Sequence, residues 1–99
     1  FEPGIVITDE PGIYIEGSHG VRLENELLVK EWKKNEYGEF LCFETITYVP
    51  MDLDGIKADM MSEEEKRLLN DYHALVYEKI APHLNEEERE WLKKYTRAI

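Results

Sequence analysis

The chain has one cysteine, Cys42, in 99 residues, so no internal disulfide can form. That excludes the small disulfide-stapled scaffolds and suits a reducing, cytoplasmic setting. Positive charge is also scarce. Twelve Lys and Arg stand against 22 Asp and Glu, a formal net charge of -10. Binding to phosphate needs clustered basic side chains, and the one dense group, Lys30, Lys33 and Lys34, is diluted by Glu31 and Glu36. Nucleic acid and anionic membranes are therefore not expected partners. Long apolar runs are missing too, and no segment reads as a membrane span or a signal peptide. There is no Gly-rich phosphate loop, no Cys/His cluster with zinc spacing and no Ser-His-Asp arrangement. The chain opens at Phe1, directly before an apolar run, which reads as a piece of a longer protein.

What remains divides near Met51. Residues 1–50 are rich in β-branched and aromatic types broken by Gly and Pro, the pattern of short antiparallel strands. "GIVITDE" reads as a strand ended by Pro11-Gly12, and "GIYI" follows before a turn over Glu16–Gly20. "GVRLENELLV" reads as one alternating strand, with Val21, Leu23, Leu27 and Val29 on one face and Arg22, Glu24, Glu26 and Leu28 on the other. "KEWKKNEYGEF" reads as a hairpin connection with Tyr37-Gly38 near its tip, and "FLCFETITYVP" as the last strand, closed by Pro50. Cys42, between Leu41 and Phe43, is expected as a buried small hydrophobe.

Residues 51–99 carry helical periodicity. Ser62 with Glu65, and Asn85 with Glu88, have the spacing of two capping boxes. Leu68, Leu69, Tyr72, Leu75, Val76 and Ile80 recur at helical spacing after the first, and Trp91, Leu92 and Tyr95 form a smaller stripe after the second. The fold class is thus α+β. His73 lies close to the stripe and reads as a packing or surface residue, and His83, after Pro82, as solvated.

Two carboxylates are out of place in this pattern. Glu10 ends an apolar run at Pro11-Gly12, and Glu24 interrupts an alternating strand. Exposure, or an ion pair of Glu24 with Arg22, accounts for either alone. If the sheet brings them together they repel, and a hard divalent cation between them would remove that cost.

The stretch "TDEPGIYIEGSHGVRLEN" also resembles the closing motifs of the pita-bread metallopeptidases, the family of Xaa-Pro aminopeptidase, prolidase and methionine aminopeptidase. The matching elements are Glu10-Pro11-Gly12, Tyr14, Gly17 and Gly20-Val21-Arg22-Leu23-Glu24, and "FLCFETITYVPMD" and the helical half are similar to the end of the catalytic domain and the C-terminal extension of its aminopeptidase P branch. The resemblance implies the C-terminal part of a pita-bread fold, with residues 1–50 ending the catalytic domain and 51–99 forming the helical extension. It implies hydrolysis of the bond between an N-terminal residue and proline by a dinuclear metal enzyme. Prolidase, or a non-catalytic binding or dimerisation module, is the alternative.

By the same resemblance Glu10 and Glu24 are two of five ligands to two divalent cations, usually Mn²⁺, with Co²⁺ or Zn²⁺ as alternatives. Glu24 would bridge both ions, and Glu10 would hold one and handle the proton of the attacking water. Arg22 and Thr8 would orient the ligands, and His19 and Tyr14 would be near the substrate pocket. The other ligands, two aspartates and a histidine, precede these motifs in the family. The 99-residue chain alone is therefore expected neither to retain the ion pair nor to hydrolyse peptides. Peptides with proline in second position, and a second copy bound through the C-terminal region, are the expected partners.

Overall fold

The computed structural model describes all of Phe1–Ile99 and divides it into two compact units, Phe1–Thr47 and Tyr48–Ile99. The first holds five strands: β1 (Val6–Asp9), β2 (Gly12–Tyr14), β3 (Gly20–Arg22), β4 (Asn25–Asn35) and β5 (Gly38–Thr45). The second holds helices α1 (Glu63–Ile80) and α2 (Glu86–Tyr95), with short 3-10 turns at Leu53–Gly55, Ala58–Met60 and Ala81–His83. No helix is long and apolar enough to cross a membrane.

The strands form two antiparallel sheets, a three-stranded one in the order β1-β4-β5 and a two-stranded ribbon of β2 and β3. The strand expected over Gly20–Val29 is therefore broken. Leu23 and Glu24 lie between β3 and β4, where the chain passes from one sheet to the other. Pro11 on the neighbouring segment has no N–H to give a ladder, so the pair of segments kinks there together.

The β4–β5 hairpin is longer and tighter than the sequence suggests. Lys30–Asn35 is strand rather than connection, and Asn35 pairs with Gly38 across a turn of only Glu36 and Tyr37. The Asn35 side chain accepts from the Tyr37 N–H at 2.9 Å, and Gly38 closes the turn at φ 139°, a region side chains disfavour. The register slips between Glu31 and Lys33, and at this bulge Trp32 meets Phe40 edge-on at 6.4 Å. β5 stops at Thr45, five residues before Pro50. There Thr47 Oγ1 accepts from the Glu26 N–H at 3.0 Å and donates to Asn25 Oδ1 at 2.8 Å.

Only Val29 is buried in this unit, while Ile13, Ile15, Val21 and Leu23 are exposed. Cys42 is half-buried rather than buried.

Both helices begin where the capping boxes predict. Ser62 Oγ accepts from the Glu65 N–H at 3.2 Å while the Glu65 carboxylate accepts from the Ser62 N–H at 2.8 Å, and Asn85 and Glu88 repeat the exchange. The bond from the Ser62 N–H, and a second from Ser62 Oγ to the same carboxylate at 2.9 Å, hold the Glu65 carboxyl below its ordinary range, the backbone bond contributing most. The core of the unit is Leu53, His73, Val76, Ala81 and Leu92. Two expected stripe residues, Leu68 and Trp91, face solvent instead, because the buried face of each helix is narrower than its apolar sequence stripe. His83 is exposed, as expected.

Candidate metal-binding carboxylate pair

The ladders β1–β4 and β2–β3 share one register. Asp9 pairs with Asn25 before the break, and Gly12 pairs with Arg22 after it. Continuing that register through the break sets Glu10 opposite Glu24 and Pro11 opposite Leu23. The Leu23 N–H donates to the Pro11 carbonyl at 3.1 Å, as this register requires. The two glutamates are thus cross-strand partners at the one place where the ribbon leaves the sheet.

The same register collects the neighbouring residues. Thr8 pairs with Glu26, Gly12 with Arg22 and Tyr14 with Gly20. Thr8, Glu10, Tyr14, Arg22 and Glu24 therefore fall on every second position of this register, the spacing that puts side chains on one face where the ladder is unbroken.

Arg22 organises this row. Its Nε donates to Glu24 Oε2 at 3.0 Å. The neighbouring Tyr14 phenol first, then the charges of Glu24 and Glu10, raise its affinity for the proton further. The Tyr14 ring lies across the ribbon. A Cβ on Gly20 would come within 2.7 Å of its Cδ1, and one on Gly12 within 2.7 Å of its hydroxyl. The two glycines are the floor on which the ring rests, which explains glycine at both positions.

His19 lies elsewhere. It is at the tip of the ribbon, with Ser18 Oγ at 2.8 Å from its Nδ1, and Ile15 N–H donates to its carbonyl. It lies five positions before Glu24, up to roughly 17 Å along an extended chain at about 3.4 Å per residue.

Opposed carboxylates of the same charge cost stability, and one Arg compensates only part of that charge. Carboxylate oxygens are the donor type that hard divalent cations prefer. They do not close a site by themselves, since no group of three or more His, Cys, Asp or Glu side chains converges anywhere in the chain.

One histidine of the helical unit is also buried. His73 is fully buried and its Nε2 accepts from the Met51 N–H at 3.0 Å. Of the two readings the stripe allowed, packing or surface, burial selects packing.

Comparison with known proteins matches both units. The model of the C-terminal region of peptidase M24 covers residues 39–99, and that of metallopeptidase family M24 covers residues 1–31. A probable Xaa-Pro aminopeptidase P of Coprinopsis cinerea is 41% identical over 101 residues, covering 97% of this chain and 16% of the relative. One from Ajellomyces capsulatus is 40% identical over 102 residues, covering 98% and 16%. Among solved structures, the X-prolyl aminopeptidase of Caenorhabditis elegans, described as a cytosolic enzyme with a di-nuclear active site, matches all of this chain with TM-score 0.83 and 30% identity, over 17% of its own length. The chain thus spans about a sixth of the length of the relatives it matches.

Proposed function

Because the chain belongs to the M24 metallopeptidase family and has the pita-bread fold of its C-terminal part, we propose that it supplies two metal ligands and their supports to an Xaa-Pro aminopeptidase. The observation that supports this most is the opposition of Glu10 and Glu24 across the break between the two sheets. Residues 1–50 are the end of the catalytic domain in this proposal, and 51–99 its helical extension.

Two divalent cations, manganese by family resemblance, would supply Lewis acidity when bound. Glu24 and Glu10 would be the residues of this chain that hold them. Glu10 also takes a proton from the attacking water and returns it to the departing proline nitrogen, a task that needs a carboxylate within hydrogen-bond reach of both. Arg22 fixes the rotamer of Glu24 through their 3.0 Å ion pair, and Tyr14 fixes Arg22 in turn. Thr8, two positions along the same register, is proposed to steady the Glu10 side. Tyr14 and, at the ribbon tip, His19 are proposed for the wall of the substrate pocket.

The substrates proposed are peptides with proline in second position, in the cytoplasm. A homodimer through residues 48–99 is the proposed assembly, supported by exposed Val49, Leu68 and Trp91 in that unit.

The test is a chimera in which this chain replaces the matching segment of the Coprinopsis cinerea relative. With Mn²⁺ it should release the first residue from Xaa-Pro peptides, and Glu10→Gln should lower kcat by about 10²–10⁴-fold, the usual contribution of a general acid–base group. An inactive chimera beside an active unmodified relative, or an unchanged Glu10→Gln rate, would count against the proposal.

A further inference from the structure

The segment from Tyr48 to Met51 runs without regular secondary structure before the first 3-10 turn, and two consecutive residues of α1 hold its backbone. The Tyr72 hydroxyl donates to the Val49 carbonyl at 2.7 Å, and the Met51 N–H donates to His73 Nε2 at 3.0 Å. The first bond is exposed, but the ring that makes the second has no accessible surface. The segment also forms one wall of an apolar groove of about 650 Å³, lined by Tyr48, Val49 and Pro50 on one side and by Leu84, Trp91 and Leu92 on the other.

To accept from Met51, Nε2 must be bare, so the neutral ring carries its hydrogen on Nδ1. Nδ1 is buried and has no partner. Adding a proton places a second hydrogen at Nε2, pointing at the Met51 N–H. It also buries a charge, and no counter-ion is at hand. The charged side chains along the neighbouring elements are exposed: Asp52, Asp54 and Lys57 on the segment, Arg67 and Asp71 on α1, Lys93, Lys94 and Arg97 at the end of the chain. Tyr72, its ring 5.7 Å away, is the aromatic neighbour.

We propose that His73 is a proton-released latch, holding the Val49–Met51 segment against α1 while neutral and letting it go on protonation, so that the groove loses one wall while α1 stays folded.

Burial alone acts on the ring, and it lowers the affinity of His73 for a proton. A base depressed in the folded state contributes stability that is complete above its unfolded pKa, about 6.5, and is lost as pH falls from there toward the folded value. The window is therefore mildly acidic, above the range in which most carboxylates titrate.

Amide hydrogen exchange on the 99-residue chain from about pH 7.5 to about pH 5 tests this, after correction for intrinsic exchange. Protection of the Met51 amide should fall by up to about tenfold per pH unit as pH drops from about 6.5 toward the His73 midpoint, while amides in the middle of α1 keep theirs. In His73→Gln, whose side-chain oxygen accepts without titrating, the Met51 amide should lose this pH dependence. Should that variant fail to fold, the imidazole ring of the wild-type chain can be titrated by NMR, and its midpoint should coincide with the loss of Met51 protection. Met51 protection that is constant with pH, or lost together with that of α1, overturns the latch, as does a ring titrating without effect on Met51.

Discussion

The register shared by the two ladders sets Glu10 opposite Glu24 across the break between them, with Arg22 bound to Glu24 at 3.0 Å. An antiparallel pair that served only to build a sheet would not keep like charges at directly opposed positions. If the two are metal ligands, as proposed, their mutual repulsion is the cost of keeping both.

That cost has a measurable sign. Glu10→Gln removes the repulsion and leaves the Arg22–Glu24 ion pair intact, so the urea midpoint of the chain should rise. Glu24→Gln also removes the repulsion but leaves Arg22 without its carboxylate partner there, so its gain should be smaller. Mn²⁺ should raise the midpoint of the wild-type chain only weakly, as two ligands hold the ion loosely, and should raise that of Glu10→Gln less still. A lower midpoint in Glu10→Gln would show that Glu10 is held by favourable contacts instead.

Tyr14 and Gly20 form the second testable pair. Because a Cβ on Gly20 would overlap the ring at 2.7 Å, Gly20→Ala should displace Tyr14 and loosen Arg22. In a Tyr14→Ala background the same change meets no ring. A double-mutant cycle by urea unfolding should give a coupling of about 0.5–3 kcal/mol, the range for residues in contact. Additive effects would mean that the ring does not rest on Gly20 in solution.

The third concerns α2, where adjacent residues have opposite fates. Leu92 is 3% exposed and Trp91 is 59% exposed. Leu92→Ala should destabilise the chain by about 2–5 kcal/mol through lost burial and the cavity left behind. Trp91→Ala, despite removing the larger side chain, should change stability by less than about 1 kcal/mol, as changes at exposed positions usually do. Thermal or urea unfolding of the two variants separates them, and equal losses would place Trp91 in the core.

The helical half was legible because its signals are local. A capping box needs only a polar residue and a glutamate three positions on, and both boxes form where the spacing put them. The buried faces were less legible. Leu68 and Trp91 match the apolar periodicity as well as Val76 and Leu92 do, and only the neighbours packed in space decide which of them loses its water.

In the first half, the sequence by itself determined which residues carry charge, where Pro11 and the glycines interrupt the strands, and a likeness to the M24 family strong enough to single out Glu10 and Glu24. It could not show that Gly20–Val29 breaks at Leu23-Glu24, since alternation continues through the break unchanged. Nor could it pair Glu10 with Glu24, because register is a relation between distant segments and one residue of slip would turn the carboxylates to different faces. The buried state of His73 likewise depends on a backbone N–H supplied by Met51, 22 residues earlier. Spacing along the chain fixes caps and candidate ligands. Which groups meet, and which are dried out, is settled only when separate segments close on each other and exclude water.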